Sequence, residues 1–251
     1  MTPRLAYSIF MLLALAVFLV ARHFTPKPPA LTALPPWKRW LLALAGFIGG
    51  VFGAKVPFVV LYGDSWLQWF TTWLGDGKTI VVGLIGAYVS VEVMKLCLGV
   101  TVKTGDTFAV PLALALAVGR WGCFFNGCCY GTPTSLPWGV PFPVGGQVQI
   151  CHPTQIYESA FHLMMAGILL LLMRTGLLPN QRLKLYLILY GVYRFLTEFI
   201  RPEPAWWMGL TFYQWAALVL AVGLTIQWAV EAVAERSRAV ELKVPQAAQA
   251  R

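Results

Sequence analysis

The chain has 251 residues, 58% hydrophobic and 12% charged, with a mean hydropathy of +0.67; soluble domains carry about a quarter charged residues, so an ordinary soluble globule is excluded. The formal net charge of +9 comes from 19 Lys and Arg against 10 Asp and Glu, but the basic residues form no ordered stripe, which excludes a nucleic-acid binder. The composition predicts an all-α, polytopic integral membrane protein.

A spanning helix needs about 20 apolar residues. About seven runs approach that length, at residues 6–21, 40–62, 79–100, 108–125, 158–173, 185–200 and 208–230. Only Arg4 precedes the first run and no A-x-A-like site follows it, so it reads as a helix and not as a signal peptide. The Pro-rich stretch 25–36 is an extended connector. Residues 126–157, with Pro133, Pro137, Pro141, Pro143 and the Gly145–Gly146 pair, form one long loop of the kind that often carries function. Residues 1–230 thus read as a single transmembrane domain and 231–251 as a short charged tail.

Orientation follows from the positive-inside rule. Arg22, Lys27, Lys38 and Arg39, then Lys103, then Arg174, Arg182 and Lys184, then Arg236, Arg238, Lys243 and Arg251 fall in alternate segments, while the other side has Arg4, Lys78 and Arg201. The N-terminus is therefore expected outside and the C-terminus in the cytoplasm. Anionic lipid would attract the basic side.

At about 1.5 Å per helical residue, this topology sets the depth of the intramembrane charges. Lys55 falls in the outer half of the second span and Arg120 in the outer third of the fourth. Arg194 lies near the middle of the sixth, with Glu198 one turn beyond. Tyr157 and Glu158 open the fifth span, and Tyr7 opens the first. Ionisable groups inside a bilayer face a partner, a cavity or a ligand. Five helices placing such groups at one depth predict a polar cavity open to the outer leaflet.

Bland readings stand beside this one. Arg194 and Glu198, at i and i+4 with Tyr190 a turn below, suit a self-neutralising pair as well as a substrate-organising one. Arg120 and Lys55 could snorkel to the interface. Glu92 and Lys95 read as a structural pair on the cytoplasmic side, and Cys97 as a small hydrophobe.

Cys123, Cys128, Cys129 and Cys151 all fall on the external side. A disulfide between Cys128 or Cys129 and Cys151, buried free thiols, a metal cluster with His152, and a redox role all remain open. The C-x4-C-C spacing matches no common zinc pattern.

Three motifs resemble a known family, the bacterial phosphatidylglycerol–prolipoprotein diacylglyceryl transferases. GRWGCFFNGCCYG at 119–131 resembles a GRxGNFxNGExxG signature at Gly119, Arg120, Gly122, Phe124, Asn126, Gly127 and Gly131. HPTQIYE at 152–158 resembles HPSQLYE, and YGVYRFLTEFIRP at 190–202 resembles YGxxRFxxEFxRxP. GAKVPFV places Lys55 where the family's GARLGYV-like stretch has arginine, and Gly83–Gly86 match the GLIG that follows a family histidine. That histidine falls at Val81, and the signature's first asparagine and its glutamate fall at Cys123 and Cys128.

The resemblance implies seven transmembrane helices in a bacterial cytoplasmic (inner) membrane. The implied reaction moves a diacylglyceryl group from phosphatidylglycerol to the lipobox cysteine thiol of a prolipoprotein and releases glycerol-1-phosphate. Phosphatidylglycerol or another anionic phospholipid, and a lipoprotein precursor or other acceptor, are the expected partners, with no cofactor and no metal.

Arginine's planar donors match phosphate oxygens, so Arg120 and Arg194 are expected to clamp the headgroup, with Glu198 orienting Arg194. Asn126 and Gln155 would hydrogen-bond the glycerol hydroxyls, Tyr7, Tyr157 and Lys55 would line the pocket, and Gly127 and Gly131 would let backbone approach the ligand. His152 and Glu158 are the candidates for a general base; the alternatives are a loop-fixing residue and a helix cap. Two rival functions remain: a phospholipid-dependent transferase with a different acceptor, and a non-catalytic lipid-binding membrane protein.

Overall fold

A computed structural model describes residues 2–62 and 79–249. Lys78 and Arg251, two of the charges that orient the chain, lie outside the described residues.

Thr2 caps the first helix by accepting from the Leu5 amide at 3.4 Å, with Pro3 at the first helical position where its missing N–H is harmless. This helix, α1, spans Pro3–Phe24. A single turn, α2 (Pro29–Thr32), interrupts the proline-rich connector. The long helices α3 (Pro36–Tyr62), α4 (Ile80–Leu98) and α5 (Asp106–Phe125) follow. After a hairpin come α6 (Thr154–Arg174), α7 (Arg182–Thr197) with a 3-10 turn at Glu198–Ile200, and α8 (Phe212–Gln249). The charged tail is therefore continuous with the last spanning helix.

Among the described residues, six helices are long and apolar enough to cross a membrane: α1, α3, α4, α5, α6 and the Phe212–Ser237 part of α8. The expected seventh span is α7, which has 16 residues. It carries Arg182, Lys184 and Arg194, and it buries Lys184, Tyr186, Leu187, Tyr190, Gly191 and Arg194 against its neighbours.

Helices pair as α1 with α5, α3 with α4, α5 with α6, and α7 with α8. Lipid is as apolar as a leucine side chain, so close packing and polar contacts hold such helices together. A Cβ on Gly86 of α4 would stand 2.2 Å from the Gly49 carbonyl of α3, and one on Gly53 would stand 2.4 Å from the Val82 carbonyl. These glycines let the two backbones touch. Large apolar residues such as Leu12, Trp40, Phe47 and Leu96 face outward. The core lies where α5, α6, α7 and α8 meet α4 and includes Ala113, Leu169, Tyr186, Tyr190 and Ala217. Val81, at the position of the resembled family's histidine, is 2% exposed and belongs to that core.

The segment expected as one long loop contains an antiparallel hairpin, β1 (Val140–Val144) with β2 (Gln147–Cys151), in the register Val140 to Cys151. Gly145 and Gly146 form its turn with φ of +58° and +83°, the left-handed conformations that a tight hairpin favours. Pro141 and Pro143 mask the strand in the sequence because proline is tolerated only at sheet edges, and a two-stranded sheet is all edge. α6 also begins earlier than the apolar run suggests, so Gln155, Tyr157 and Glu158 lie in its first turns.

Charges gather at two ends of the bundle. At one end Asp106 pairs with Arg182 at 3.2 Å, Glu231 pairs with Lys184 and, at 2.8 Å, with Lys103, and Lys95 pairs with Glu92 at 3.0 Å. The start of α1, the end of α5, the start of α6 and the end of α7 meet at the other.

Candidate functional site

Two short-range motifs build this second end. The first closes α5. Gly127, at φ +68°, follows the cap residue Asn126, the Gly127 amide donates to the Phe124 carbonyl at 3.1 Å, and the Cys128 amide donates to the Cys123 carbonyl at 3.1 Å. This is a Schellman closure, which brings the residue after the glycine over the last turn of the helix. Gly127 is thus a helix terminator. The second motif opens α8: the Gln214 amide donates to Thr211 Oγ1 at 3.1 Å while the Thr211 amide donates to Gln214 Oε1 at 2.9 Å, a reciprocal capping box. Thr211 Oγ1 also reaches Glu198 at 3.4 Å.

Glu158 is the centre of the site, with a side chain 1% exposed. Its Oε1 accepts from Arg120 of α5 at 2.5 Å and from the Tyr190 hydroxyl of α7 at 2.6 Å. Arg201, beyond α7, stands 3.9 Å from Oε2, and His162 Nε2, one turn further along α6, stands 3.8 Å from Oε1. The other ring nitrogen of His162 lies 2.8 Å from the Tyr186 hydroxyl. Arg194 donates to Glu198 at 2.7 Å. The guanidinium groups of Arg120, Arg194 and Arg201 thus meet the carboxylates of Glu158 and Glu198, with Glu203 in electrostatic reach of Arg201 and Arg194, in a site whose arginine side chains are no more than 9% exposed.

The hydrogen bonds are also incomplete. Arg120 Nε, Arg194 NH1 and Arg201 Nε are buried donors without a partner among the described residues, an arrangement that is costly unless something accepts from them. Burial first, and then the charge of Arg194, push the pKa of Arg201 below its ordinary value. An anion with several oxygens suits this set of donors.

Arg120, Arg194, Glu158 and Glu198 are thus brought together from three elements. His152 is tied elsewhere: its Nδ1 lies 3.3 Å from the Tyr157 hydroxyl, which also accepts from Trp138 at 2.8 Å. Gln155 is fully buried, and its amide donates to the Cys128 carbonyl at 2.6 Å. At Gly131 a Cβ would meet the Ile200 carbonyl at 2.6 Å and His152 Cβ at 2.8 Å, so the close approach there is of chain to chain. Tyr7 is half-buried on α1 and within electrostatic reach of Arg120 and of Cys123, Cys128 and Cys129. Lys55 is buried on α3, at the end of a groove of about 400 Å³ lined by Gly46, Phe47, Gly50, Val51 and Ala54.

His162 and Arg201 escape the sequence reading. His162 lies four residues after Glu158, hence on the same helix face, but nothing in a single apolar run marks it as more than a core histidine. Arg201 reads as an external charge and as an arginine of the third motif with no site role, although it follows Glu198 by three residues in a turn that brings it back to Glu158.

All five cysteines are free thiols. Cys151 is 1% exposed at the end of β2 and is not joined to Cys128 or Cys129, contrary to the expected disulfide, because its strand register places it opposite Val140. The sulfurs of Cys123, Cys128 and Cys129 lie within 4.8 Å of one another. Hydrogen bonds with Cys123 and Cys128 hold the Cys129 thiol well below the usual thiol range, and Arg120 and Arg201 act in the same direction against burial.

The sequence profile described as prolipoprotein diacylglyceryl transferase matches residues 4–230. A phosphatidylglycerol–prolipoprotein diacylglyceryl transferase of Clostridium tetani is 37% identical over 169 residues, covering 65% of this chain and 68% of the relative. Proteins of the same name from Wolbachia pipientis subsp. Culex pipiens and Cupriavidus metallidurans are each 32% identical, covering 74% and 73% of this chain and 72% and 73% of the relatives.

Proposed function

This chain belongs to the prolipoprotein diacylglyceryl transferase family, and we propose that it transfers a diacylglyceryl group from phosphatidylglycerol to the lipobox cysteine thiol of a prolipoprotein, releasing glycerol-1-phosphate. It is a multi-pass membrane protein. Under this reading it lies in the bacterial cytoplasmic membrane with its N-terminus outside, and the arginine site opens to the outer leaflet.

One observation carries the reading: three buried guanidinium groups at Glu158 and Glu198 have donors with no partner among the described residues. A phosphodiester headgroup supplies the missing acceptors. As the bond from the glyceryl carbon to the phosphate oxygen breaks, negative charge grows on that oxygen. Donors already fixed in place stabilise it without reorganisation. Glu158 and Glu198 hold the guanidinium groups in register, Tyr190 and Tyr186–His162 fix Glu158 from behind, and Tyr7 lines the entry from α1. Asn126, which caps α5, and Gln155, which holds the Cys128 carbonyl, keep the end of α5 in place beside the arginines. His152 acts in this scheme through Tyr157 and the hairpin, where it shapes acceptor access.

The test uses purified protein in vesicles containing headgroup-labelled phosphatidylglycerol, with and without a lipobox peptide. Peptide-dependent glycerol-1-phosphate release is expected, falling on the order of a hundredfold or more in Arg194→Ala, as for loss of one fixed transition-state donor. Release that ignores the peptide but requires another acceptor would support the second transferase reading. Binding without release in any condition would overturn both in favour of a lipid-binding protein.

A further inference from the structure

We propose that Cys123, Cys128 and Cys129 form a three-thiolate zinc site whose fourth position takes the acceptor thiol. The proposal rests on the transferase reading above for its substrate, and on the thiol geometry for the metal.

The helix closure explains the first two ligands. Cys123 sits in the last turn of α5 and Cys128 is the residue that a Schellman motif folds back over that turn, with its amide on the Cys123 carbonyl at 3.1 Å and its thiol 3.6 Å from the same oxygen. Consecutive side chains ordinarily diverge, yet Cys129 joins the pair. It does so through a left-handed backbone, φ +63°, which costs a non-glycine residue about 1–2 kcal/mol. Such a conformation persists only where the surroundings enforce it. Here they do: the Cys129 carbonyl accepts from Thr154 Oγ1 at 2.6 Å and from Arg201 at 3.2 Å, and the Cys128 carbonyl accepts from Gln155 at 2.6 Å. Two fully buried α6 side chains and an arginine of the phosphate site thus fix a strained backbone, and its result is three sulfurs facing one point.

Zinc–sulfur bonds of about 2.3 Å in tetrahedral geometry place sulfurs about 3.8 Å apart. Sulfurs within 4.8 Å of one another reach that spacing by small side-chain rotations. No His, Asp or Glu joins the three among the described residues, and three protein ligands with one open position is the catalytic form of a zinc site. Thiolate donors select a thiophilic ion over magnesium or calcium.

The chemistry follows from what the reaction needs, a thiolate nucleophile beside a phosphate leaving group. The acceptor thiol replaces water at the open position, and its proton leaves with the solvent. The metal-bound sulfur then attacks the glyceryl carbon, a carbon–sulfur bond forms, and the carbon–oxygen bond breaks with its electron pair on the phosphate oxygen. The neutral thioether is a weak ligand and dissociates; the metal keeps its oxidation state throughout. Three thiolates and a divalent ion sum to one negative charge, beside which stand Arg120 and Arg201, both in electrostatic reach of Cys129.

Purified full-length protein in detergent is stripped with a chelator and reloaded with zinc, or with cobalt as a spectroscopic probe. The expected result is one equivalent of metal per chain, with a thiolate-to-cobalt charge-transfer band. Cys129→Ser should weaken binding on the order of a hundredfold, and Cys97→Ser should leave it unchanged. The cobalt bands should shift with a lipobox peptide and stay fixed with its cysteine-to-serine analogue. In the wild type, needing no variant to fold, zinc should shield three thiols from alkylation as counted by mass. Metal retention unchanged by Cys129→Ser, or equal alkylation with and without zinc, overturns the site. Undiminished glycerol-1-phosphate release from chelated protein overturns its role in transfer and leaves the transferase reading standing. Absence of release from both forms overturns the transferase reading instead, and the cobalt spectrum then decides the metal site alone.

Discussion

Replacing Glu158 by glutamine keeps the side chain's size and removes the charge on which the site converges. Arg120 at 2.5 Å, Tyr190 at 2.6 Å, His162 at 3.8 Å and Arg201 at 3.9 Å all address this carboxylate. Without it Arg120 and Arg201 lose the carboxylate they share, and Glu198 remains paired with Arg194. Breaking a buried ion pair costs about 3–5 kcal/mol, and a tyrosine that loses a charged acceptor forfeits part of a bond worth about 1.5–3 kcal/mol. Glu158→Gln therefore belongs at the upper end, about 5 kcal/mol. Arg120→Met breaks the same pair from the other side, but Glu158 then keeps Tyr190 and Arg201, so the loss belongs at the lower end, about 3 kcal/mol. The structure thus predicts an asymmetry of about 2 kcal/mol and, in the double variant, a coupling well above about 1 kcal/mol. Reversible unfolding by sodium dodecyl sulfate titration in mixed micelles measures all four proteins. A cost for Arg120→Met equal to or above that of Glu158→Gln, or a coupling below about 1 kcal/mol, would refute Glu158 as the centre that holds several cations.

Tyr190→Phe removes only the 2.6 Å donor to Glu158 and should cost about 1.5–3 kcal/mol in the same titration, with packing unchanged. Gly131→Ala would push a methyl group to 2.6 Å from the Ile200 carbonyl; backbone cannot yield as a side-chain tip can, so a loss of about 1–3 kcal/mol is expected, with reduced glycerol-1-phosphate release because Arg201 follows Ile200. Burial presses the Lys103 ammonium down, but its hydrogen bonds to Glu231 and Glu235 outweigh this and raise its pKa. A raised pKa contributes stability that is complete below the unfolded value of about 10.4 and is lost as pH climbs through the folded value. The stability difference between wild type and Lys103→Met should thus be constant through neutral pH and vanish only in the alkaline range, as unfolding curves at stepped pH would show. His152→Ala should lower transfer far less than His162→Gln, because only His162 stands behind Glu158; comparing their initial rates checks this.

The family resemblance rests on local strings, and those strings carry most of the arginine–carboxylate site. Arg194 and Glu198 meet because they are four residues apart on one helix. Arg120 and Glu158 were both placed at the outer level by counting residues along their spans. What counting could not give is partnership. Glu158 reads as a helix cap or a base, and Arg201 as a motif arginine without an assigned partner, because nothing in one helix says how its neighbours are rotated. The packing sets that rotation, through contacts such as Gly49 against Gly86 and Gly191 against the Ala217 carbonyl at 2.9 Å from an added Cβ. His152 stands in a legible motif, whereas His162 lies unmarked in an apolar run, yet burial against Tyr186 and Glu158 makes His162 the neighbour of the charges.

The sequence by itself determined that this is a helical membrane protein of a recognisable family, with its intramembrane charges at one depth. Hydropathy and helical period are properties of short stretches and survive without a fold. Only the tertiary structure decided that Glu158 gathers Arg120 and Arg201, that Cys151 stands apart from the other thiols, and that Cys123, Cys128 and Cys129 converge. The last case shows the division most clearly. Gly127 announces the helix end, but the left-handed turn at Cys129 exists because Thr154 and Arg201, from two other elements, hold its carbonyl.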